Sequence, residues 1–191
     1  MAKPLLSEFF LLLQQGVLIR CRVSCSVAAF LREELRAGED TIAKIQSIFL
    51  DGKAVDDIET ALIKDGSVLA LSAAMPGLVG ATLRRGGAYS SFRNAITYHE
   101  KAETCSVKEG YVRIKIFNLL MAEMGPCLLQ RGVSLKAEDL LSFMAGLSQD
   151  FWKGCRRTEF DNKPVDLRIL QNSLTAGDEI LLSVSSAQAE A

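Results

Sequence analysis

Residues 83–98 contain the densest group of side chains suited to binding a ligand, including three arginines and a glycine pair. Arginines bind carboxylates and phosphates through forked hydrogen bonds, and glycines leave backbone amides accessible to an anion. The segment therefore predicts a site for a small anion or an acidic partner, although it lacks the spacing of a P-loop or dinucleotide motif. The alternative is a flexible turn with solvated arginines. The candidate binding residues are Arg84, Arg85, Gly86, Gly87, Tyr89 and Arg93.

Residues that could support catalysis are scattered and form no recognisable constellation. His99 is the sole histidine of the sequence, so a serine- or cysteine-histidine site could use no other, and we expect it at the surface. Cys21 and Cys127 are candidate nucleophiles, but both are predicted in apolar strands, where inert buried thiols are more common. The acidic residues at 56–57 and at Asp65 fit turn formation without a metal. We expect no catalytic residue, metal or cofactor.

Composition narrows the class of protein. The chain has 191 residues, of which 49% are hydrophobic and 24% are charged, which is typical of one large or two small globular domains. A net charge of -1 argues against general nucleic-acid binding and against a polybasic membrane anchor. The five cysteines form no CxxC pair, which is typical of reduced thiols in the cytoplasm. No apolar run approaches the roughly 20 residues that span a bilayer.

Periodicity predicts the elements of the first half. Apolar residues recur at helical spacing over 5–13, and Gly16 would end that helix; the competing interpretation is a strand with a hairpin turn at 15–16. Residues 17–23 predict a strand. Ser24 or Ser26 could cap the amphipathic helix that follows, which Gly38 would end. Proline and glycine at 75–80 predict a loop.

The second half repeats this pattern less clearly. Residues 99–110 are polar and predict a linker or exposed hairpin. Gly125 and Pro126 are expected to stop a short helix that follows Asn118. The remaining predictions are strands at 111–117 and 127–135, the latter with Gly132 as a possible bulge, a helix at 136–147, and closing strands at 158–165 and 179–183.

Residues 45–72 contain the clearest pattern of strands and tight turns in the sequence, and a weaker copy of this pattern lies at 156–183. The repeat aligns Asp51 with Asp161 at a shift of about 110 residues and, after one insertion, Gly66 with Gly177. Asp-Gly pairs supply the positive φ of a tight turn, and Asn162 can supply it in the second copy. The agreement in the order of elements predicts an internal duplication.

With this order of elements and with turns at 51–52 and 65–66, the chain resembles the β-grasp, ubiquitin-like fold. It looks most similar to the sulfur-carrier branch, typified by the small subunit of molybdopterin synthase and the sulfur carrier of the thiamine pathway. The resemblance covers residues 17–77 and, more loosely, 111–184. It implies units in which a mixed sheet packs on an amphipathic helix.

The resemblance also implies where carrier chemistry would reside. In that family a partner enzyme adenylates the terminal glycine of a Gly-Gly tail, which then becomes a thiocarboxylate. This sequence ends in AQAEA, and its diglycine at Gly86 and Gly87 is internal. Carrier activity would therefore require cleavage after Gly87. Two fused units without a free diglycine fit a binding module better.

We therefore expect an α+β protein with tandem β-grasp units at residues 1–80 and 111–185, linked by 81–110 and followed by a tail at 186–191. The predicted function is a non-catalytic protein-interaction module. One role of this kind is that of an accessory subunit of a metabolic complex. The alternatives are a sulfur carrier or modifier released by cleavage, and a small-anion binder at the arginine-rich link. We expect a protein partner, no nucleic acid, no membrane insertion and a cytoplasmic location.

Overall fold

The computed structural model describes residues 5–98, 108–165, 173–175 and 177–186, which form an α+β structure. The strands are β1 (Val17–Val23), β2 (Cys25–Ser26), β3 (Ser47–Leu50), β4 (Lys53–Ala54), β5 (Leu62–Ile63), β6 (Val68–Ser72), β7 (Lys108–Phe117), β8 (Val133–Lys136), β9 (Glu159–Phe160), β10 (Lys163–Pro164) and β11 (Glu179–Leu182). The helices are α1 (Phe10–Gln15), α2 (Val27–Ala29), α3 (Glu39–Lys44), α4 (Gly77–Leu83), α5 (Leu120–Arg131), α6 (Ala137–Ala145) and α7 (Gln149–Lys153). A 3-10 turn (Leu5–Phe9) precedes α1, a π-helix (Phe30–Glu34) extends α2, and a second 3-10 helix covers Ser90–Ile96.

Seven strands form one mixed sheet in the order β11-β8-β1-β7-β6-β3-β4. Strand β7 lies at its centre, antiparallel to β1 and parallel to β6, so Ile114 lies beside both Val17 and Leu69. Strands β1 and β6 each pair with β7 and not with each other. Strand β8 pairs with β1 on the other side. The predicted link at 81–110 therefore joins strands of one shared sheet.

Helices α1 and α5 and the π-helix pack against the central strands of this sheet. Alternate residues of β1 and β7, such as Val17, Ile19, Ile114 and Ile116, are buried against them because successive strand side chains point to opposite faces. Helices α1 and α5 contact β7, and the π-helix contacts β1. Burial of these apolar side chains is the main contribution to folding.

Several local predictions are confirmed. The helix over 5–15 ends at Gly16, whose φ of 108° suits a glycine and whose amide donates to the Leu12 carbonyl at 3.0 Å. Ser26 caps α2, because its Oγ accepts from the Ala29 amide at 3.1 Å. The π-helix that extends α2 ends at Glu34, earlier than predicted, and Gly38 instead precedes α3.

Two local predictions are wrong. A loop was expected at 75–80, but residues 77–83 form helix α4. Helix α5 continues through Gly125 and Pro126 to Arg131, so the strand predicted from residue 127 begins only at Val133. Its apolar side chains at four-residue spacing, including Leu120, Met124 and Leu128, are buried, and this packing outweighs the hydrogen bond that Pro126 cannot make. Gly132 ends the helix instead of forming a bulge.

Both halves share their element order and their positive-φ positions. Each half contains, in this order, a helix, a strand, a helix, a short helix, a short strand pair and a final strand; β2, β5 and β7 have no counterpart in the other half among the described residues. Asp51 and Asp161 both have φ of 51°, and Gly66 and Gly177 have φ of 81° and 98°. The predicted left-handed Asn162 is confirmed, with φ of 61°. The halves differ in pairing, because β9 and β10 form a separate two-stranded sheet, whereas β3 and β4 belong to the main sheet.

Candidate functional site

The segment between β6 and β7 that carries the predicted binding residues is held against the sheet edge by Arg93. We call residues 77–98 the connector; it contains α4 and the second 3-10 helix. The Arg93 side chain is buried, with the residue only 4% exposed. Its Nε donates to the Thr82 carbonyl at 2.7 Å and its Nη1 to Thr97 Oγ1 at 3.1 Å. Its Nη2 donates to Asp56 Oδ1 at 2.5 Å and to the Arg84 carbonyl at 3.3 Å. Arg93 is therefore a structural anchor.

Asp56 binds the connector at two points, through Arg93 and through a backbone amide. Its Oδ1 also accepts from the Gly86 amide at 3.0 Å. Partial burial opposes ionisation of this carboxyl, but the hydrogen bonds from Arg93 and Gly86, and the charges of Arg93 and Arg85, outweigh it and lower the pKa of Asp56. Asp56 is therefore an ionised structural acid at neutral pH.

Because the pKa of Asp56 is lower in the folded protein than in the unfolded chain, this contact stabilises the fold above the ordinary aspartate pKa of about 4. The stabilisation is lost as the pH falls through the lowered value. We expect the Gly86 amide resonance to move in an acid titration followed by NMR, with a midpoint below that of ordinary aspartates. An Asp56→Asn variant should lose this transition; its persistence there would assign the titration to another group.

Backbone hydrogen bonds attach the rest of the connector. The Arg85 amide donates to the Gln46 carbonyl at 2.7 Å, and the Tyr98 amide donates to the Ala54 carbonyl at 2.8 Å. These bonds place the connector along the outer strand β4 and the start of β3. The diglycine at Gly86 and Gly87, after which the carrier alternative requires cleavage, therefore lies in a folded segment that is bound to residues 46–56.

The other predicted binding residues have different roles. The amides of Gly86 and Gly87 are occupied, the first by Asp56 and the second by the Arg84 carbonyl at 3.1 Å. Tyr89 is exposed and stacks on Phe92, with ring centroids 6.1 Å apart. The side chains of Arg84 and Arg85 form no ion pair with any residue that the structure describes. Arg84 is exposed, whereas Arg85 is half-buried and its charge helps to lower the pKa of Asp56.

Two buried polar side-chain atoms lack a hydrogen-bond partner among the described residues, and one belongs to a serine that the sequence analysis did not single out. Ser47 is 1% exposed, and its Oγ has no hydrogen-bond partner within the described ranges. The same holds for Arg85 Nη1, which is also buried. A buried polar group without a partner costs about 1–3 kcal/mol. The available signal was the serine in an otherwise apolar strand, Ser47–Leu50.

The connector also exposes large apolar side chains. Leu78 and Phe92 are 75% and 79% exposed, and Val79, Tyr89 and Ile96 are between 48% and 62% exposed. We call these five residues the apolar patch. Four of these residues lie on helix α4 or on the second 3-10 helix, which contact each other, and Tyr89 immediately precedes the second of these helices.

The two candidate nucleophiles lie in different environments. Burial raises the pKa of the Cys21 thiol to about 12, which leaves it protonated and unreactive at neutral pH. Cys127 lies on helix α5 and not in a strand, and it is exposed in a groove of about 580 Å³. Two charged residues of that groove, Glu34 and Arg131, pair with each other at 3.0 Å. His99 and Cys105 lie outside the described residues.

The described part of the chain contains no cluster of three or more His, Cys, Asp or Glu residues that could hold a metal ion. Nor is any helix within these ranges long and apolar enough to cross a membrane. Comparison of the chain with protein-family models, with curated proteins and with solved structures finds no match.

Proposed function

We propose that the protein is a non-catalytic protein-interaction module and that the apolar patch of the connector is its contact surface. The exposure of five large apolar side chains on a segment anchored by a buried arginine carries this proposal. Large apolar side chains that are exposed together on one segment typically mark a binding surface. Aromatic side chains such as Tyr89 and Phe92 are also enriched at the centres of interfaces.

We further propose that the fold derives from two β-grasp units related to the sulfur-carrier branch, with their strands combined in one sheet. The shared element order and the shared positive-φ turns support this origin. No observation favours the carrier alternative, because the amides of both Gly86 and Gly87 donate hydrogen bonds within the connector. An accessory subunit that binds a protein partner in the cytoplasm fits better, and the unpaired thiols of Cys21, Cys25, Cys127 and Cys155 are compatible with that compartment.

A paired substitution in the apolar patch tests the proposal. The full-length protein carrying Leu78→Ser and Phe92→Ser should retain its fold, because both side chains are largely exposed. Its capture of the partner, measured by quantitative affinity purification and mass spectrometry from the source cells, should fall at least about tenfold, the effect of losing one to two interface hot spots.

The matched control is Leu119→Ser, which removes an equally exposed leucine, 73% exposed, outside the connector. This variant should capture the same partner as the unmodified protein. A partner retained equally by all three proteins would refute the apolar patch as the contact surface. Equal loss in both variants would mean that general surface hydrophobicity, and not this segment, drives the capture.

A further inference from the structure

We infer that strand β11 is a dimerisation edge, on which the β11 strand of a second copy of this chain pairs in the antiparallel direction. The pairing joins the two seven-stranded sheets into one continuous sheet across a two-fold axis. Strand β11 and strand β4, along which the connector lies, are at opposite ends of the sheet. The inference therefore does not rest on the proposed protein contact of the apolar patch.

The two ends of the seven-stranded sheet differ in how their backbone is paired. At one end the connector lies along β4, where the Tyr98 amide donates to the Ala54 carbonyl at 2.8 Å. At the other end β11 pairs with β8 alone among the strands that the structure describes. Its counterpart in the first half, β6, pairs on both sides, antiparallel to β3 and parallel to β7. Strand β11 therefore leaves one edge free where β6 leaves none.

The backbone groups on this free edge belong to Glu179 and Leu181. Along an antiparallel pair, residues that exchange hydrogen bonds alternate with residues whose N–H and C=O groups point the other way. The Ala137 amide donates to the Asp178 carbonyl at 2.9 Å, so the backbone groups of Ile180, two residues further on, also face β8. Those of Glu179 and Leu181 consequently point away from β8. An edge of this kind is a template for another strand.

The side chains of β11 do not block such pairing. Natural proteins protect free edges with proline, with lysine or with a bulge, whereas Glu179–Leu182 has the sequence EILL with a single charge at its first position. Leu181 is 73% exposed, and Ile180 and Leu182 are half-buried. Pairing with another strand removes part of this apolar surface from water, which favours association.

A second copy of β11 is complementary to this edge. In the antiparallel register centred on Leu181, the two Leu181 residues exchange backbone hydrogen bonds, and Ile180 lies opposite Leu182. Glu179 lies opposite Ser183, so no two carboxylates face each other. Aliphatic pairs across two strands stabilise a sheet, whereas like charges directly opposite destabilise it. Two-fold pairing occupies the free edge of both copies, so the assembly ends at the dimer.

Sedimentation equilibrium of the full-length protein over a range of concentrations tests the inference. An interface formed by one strand edge buries less than about 1,200 Å² and is typical of weak contacts, so the average mass should rise from monomer at about 1 μM towards dimer at about 500 μM. Leu181→Lys places two like charges opposite each other and should weaken dimerisation at least about tenfold. The matched control is Leu119→Lys, which changes an equally exposed leucine outside β11, 73% exposed, and should dimerise as the unmodified protein does.

Hydrogen exchange of the unmodified protein at low and high concentration locates the contact without any substitution. The Leu181 amide, which points to the free edge, should exchange at least about tenfold more slowly at about 500 μM than at about 1 μM. The Ile180 amide, which already faces β8, should change much less.

A monomer at every concentration up to about 1 mM would overturn the inference. A dimer that leaves Leu181 exchange unchanged, or that forms equally well in Leu181→Lys, would overturn it by placing the contact elsewhere. The Leu78→Ser, Phe92→Ser protein should dimerise normally, and Leu181→Lys should still capture the partner of the apolar patch, so the two proposals fail separately.

Discussion

Residues 1–98 produced without the second half are expected to remain unfolded, although they include the whole of the predicted first unit. Strands β1 and β6 do not pair with each other; each pairs with β7, which begins at Lys108. Without β7, both strands lose their central partner, and apolar residues such as Ile19 and Leu69 lose the buried side chains of Val112 and Ile114. A fragment with an open sheet and a divided core has too little buried apolar surface to offset its conformational entropy.

Far-UV circular dichroism and a two-dimensional amide NMR spectrum of the fragment measure this directly. The fragment alone should give a narrow, unfolded amide spectrum. Mixing it with an equal amount of residues 99–191 should restore dispersion, because the second fragment supplies β7. A well-dispersed spectrum from residues 1–98 alone would show that the first unit folds independently, as tandem units would.

The second prediction concerns the loss of local stability when Arg93 is replaced. Replacing it with alanine removes four hydrogen bonds and leaves Asp56 without its guanidinium partner. Removing one member of a buried ion pair costs about 3–5 kcal/mol, but the Asp56 side chain is 34% exposed and water recovers part of this. We therefore expect a loss of about 2 kcal/mol, confined to the connector.

Hydrogen exchange of the folded protein distinguishes this local effect from global unfolding. In Arg93→Ala the amides of Arg85, Gly86 and Tyr98 should exchange about 30-fold faster, since 2 kcal/mol corresponds to that factor. The central amides of β7 should change much less. Arg84→Ala, which removes an exposed arginine of the same segment, should leave all of these rates unchanged. Uniform acceleration across the whole sheet would instead mean that the connector and the core unfold together.

Features that depend on neighbouring residues alone could be predicted from the sequence. The helix ending at Gly16, the cap at Ser26, the strand at 17–23 and the left-handed Asn162 follow from short-range periodicity and turn chemistry, and the structure has all of them. The recurrence of these local signals also indicated the shared order of elements in the two halves. Each depends on interactions across a few residues, which the sequence displays directly.

The continuation of α5 through Pro126 illustrates what local rules miss. Gly125 lies so close to α1 that a Cβ there would meet the Phe10 ring at 2.7 Å. This contact, together with burial of Leu128 and Leu129, stabilises the helix although Pro126 disfavours it. The partner residues are more than 100 positions away, so local propensity carried no information about them.

For the candidate site, too, the sequence predicted some features and the tertiary structure decided others. Sequence alone identified the arginines, the glycines and Tyr89 as unusual, because residue type and clustering are visible in one dimension. Only the tertiary structure decided that Arg93 is buried on Asp56, 37 positions away, and that Arg84 is exposed while Arg85 is half-buried. The placement of β7 between β1 and β6 was decided there as well. Burial and pairing between distant residues are properties of the folded core. Whether an arginine anchors a segment or stays free to bind a ligand depends on whether the fold places a carboxylate next to it.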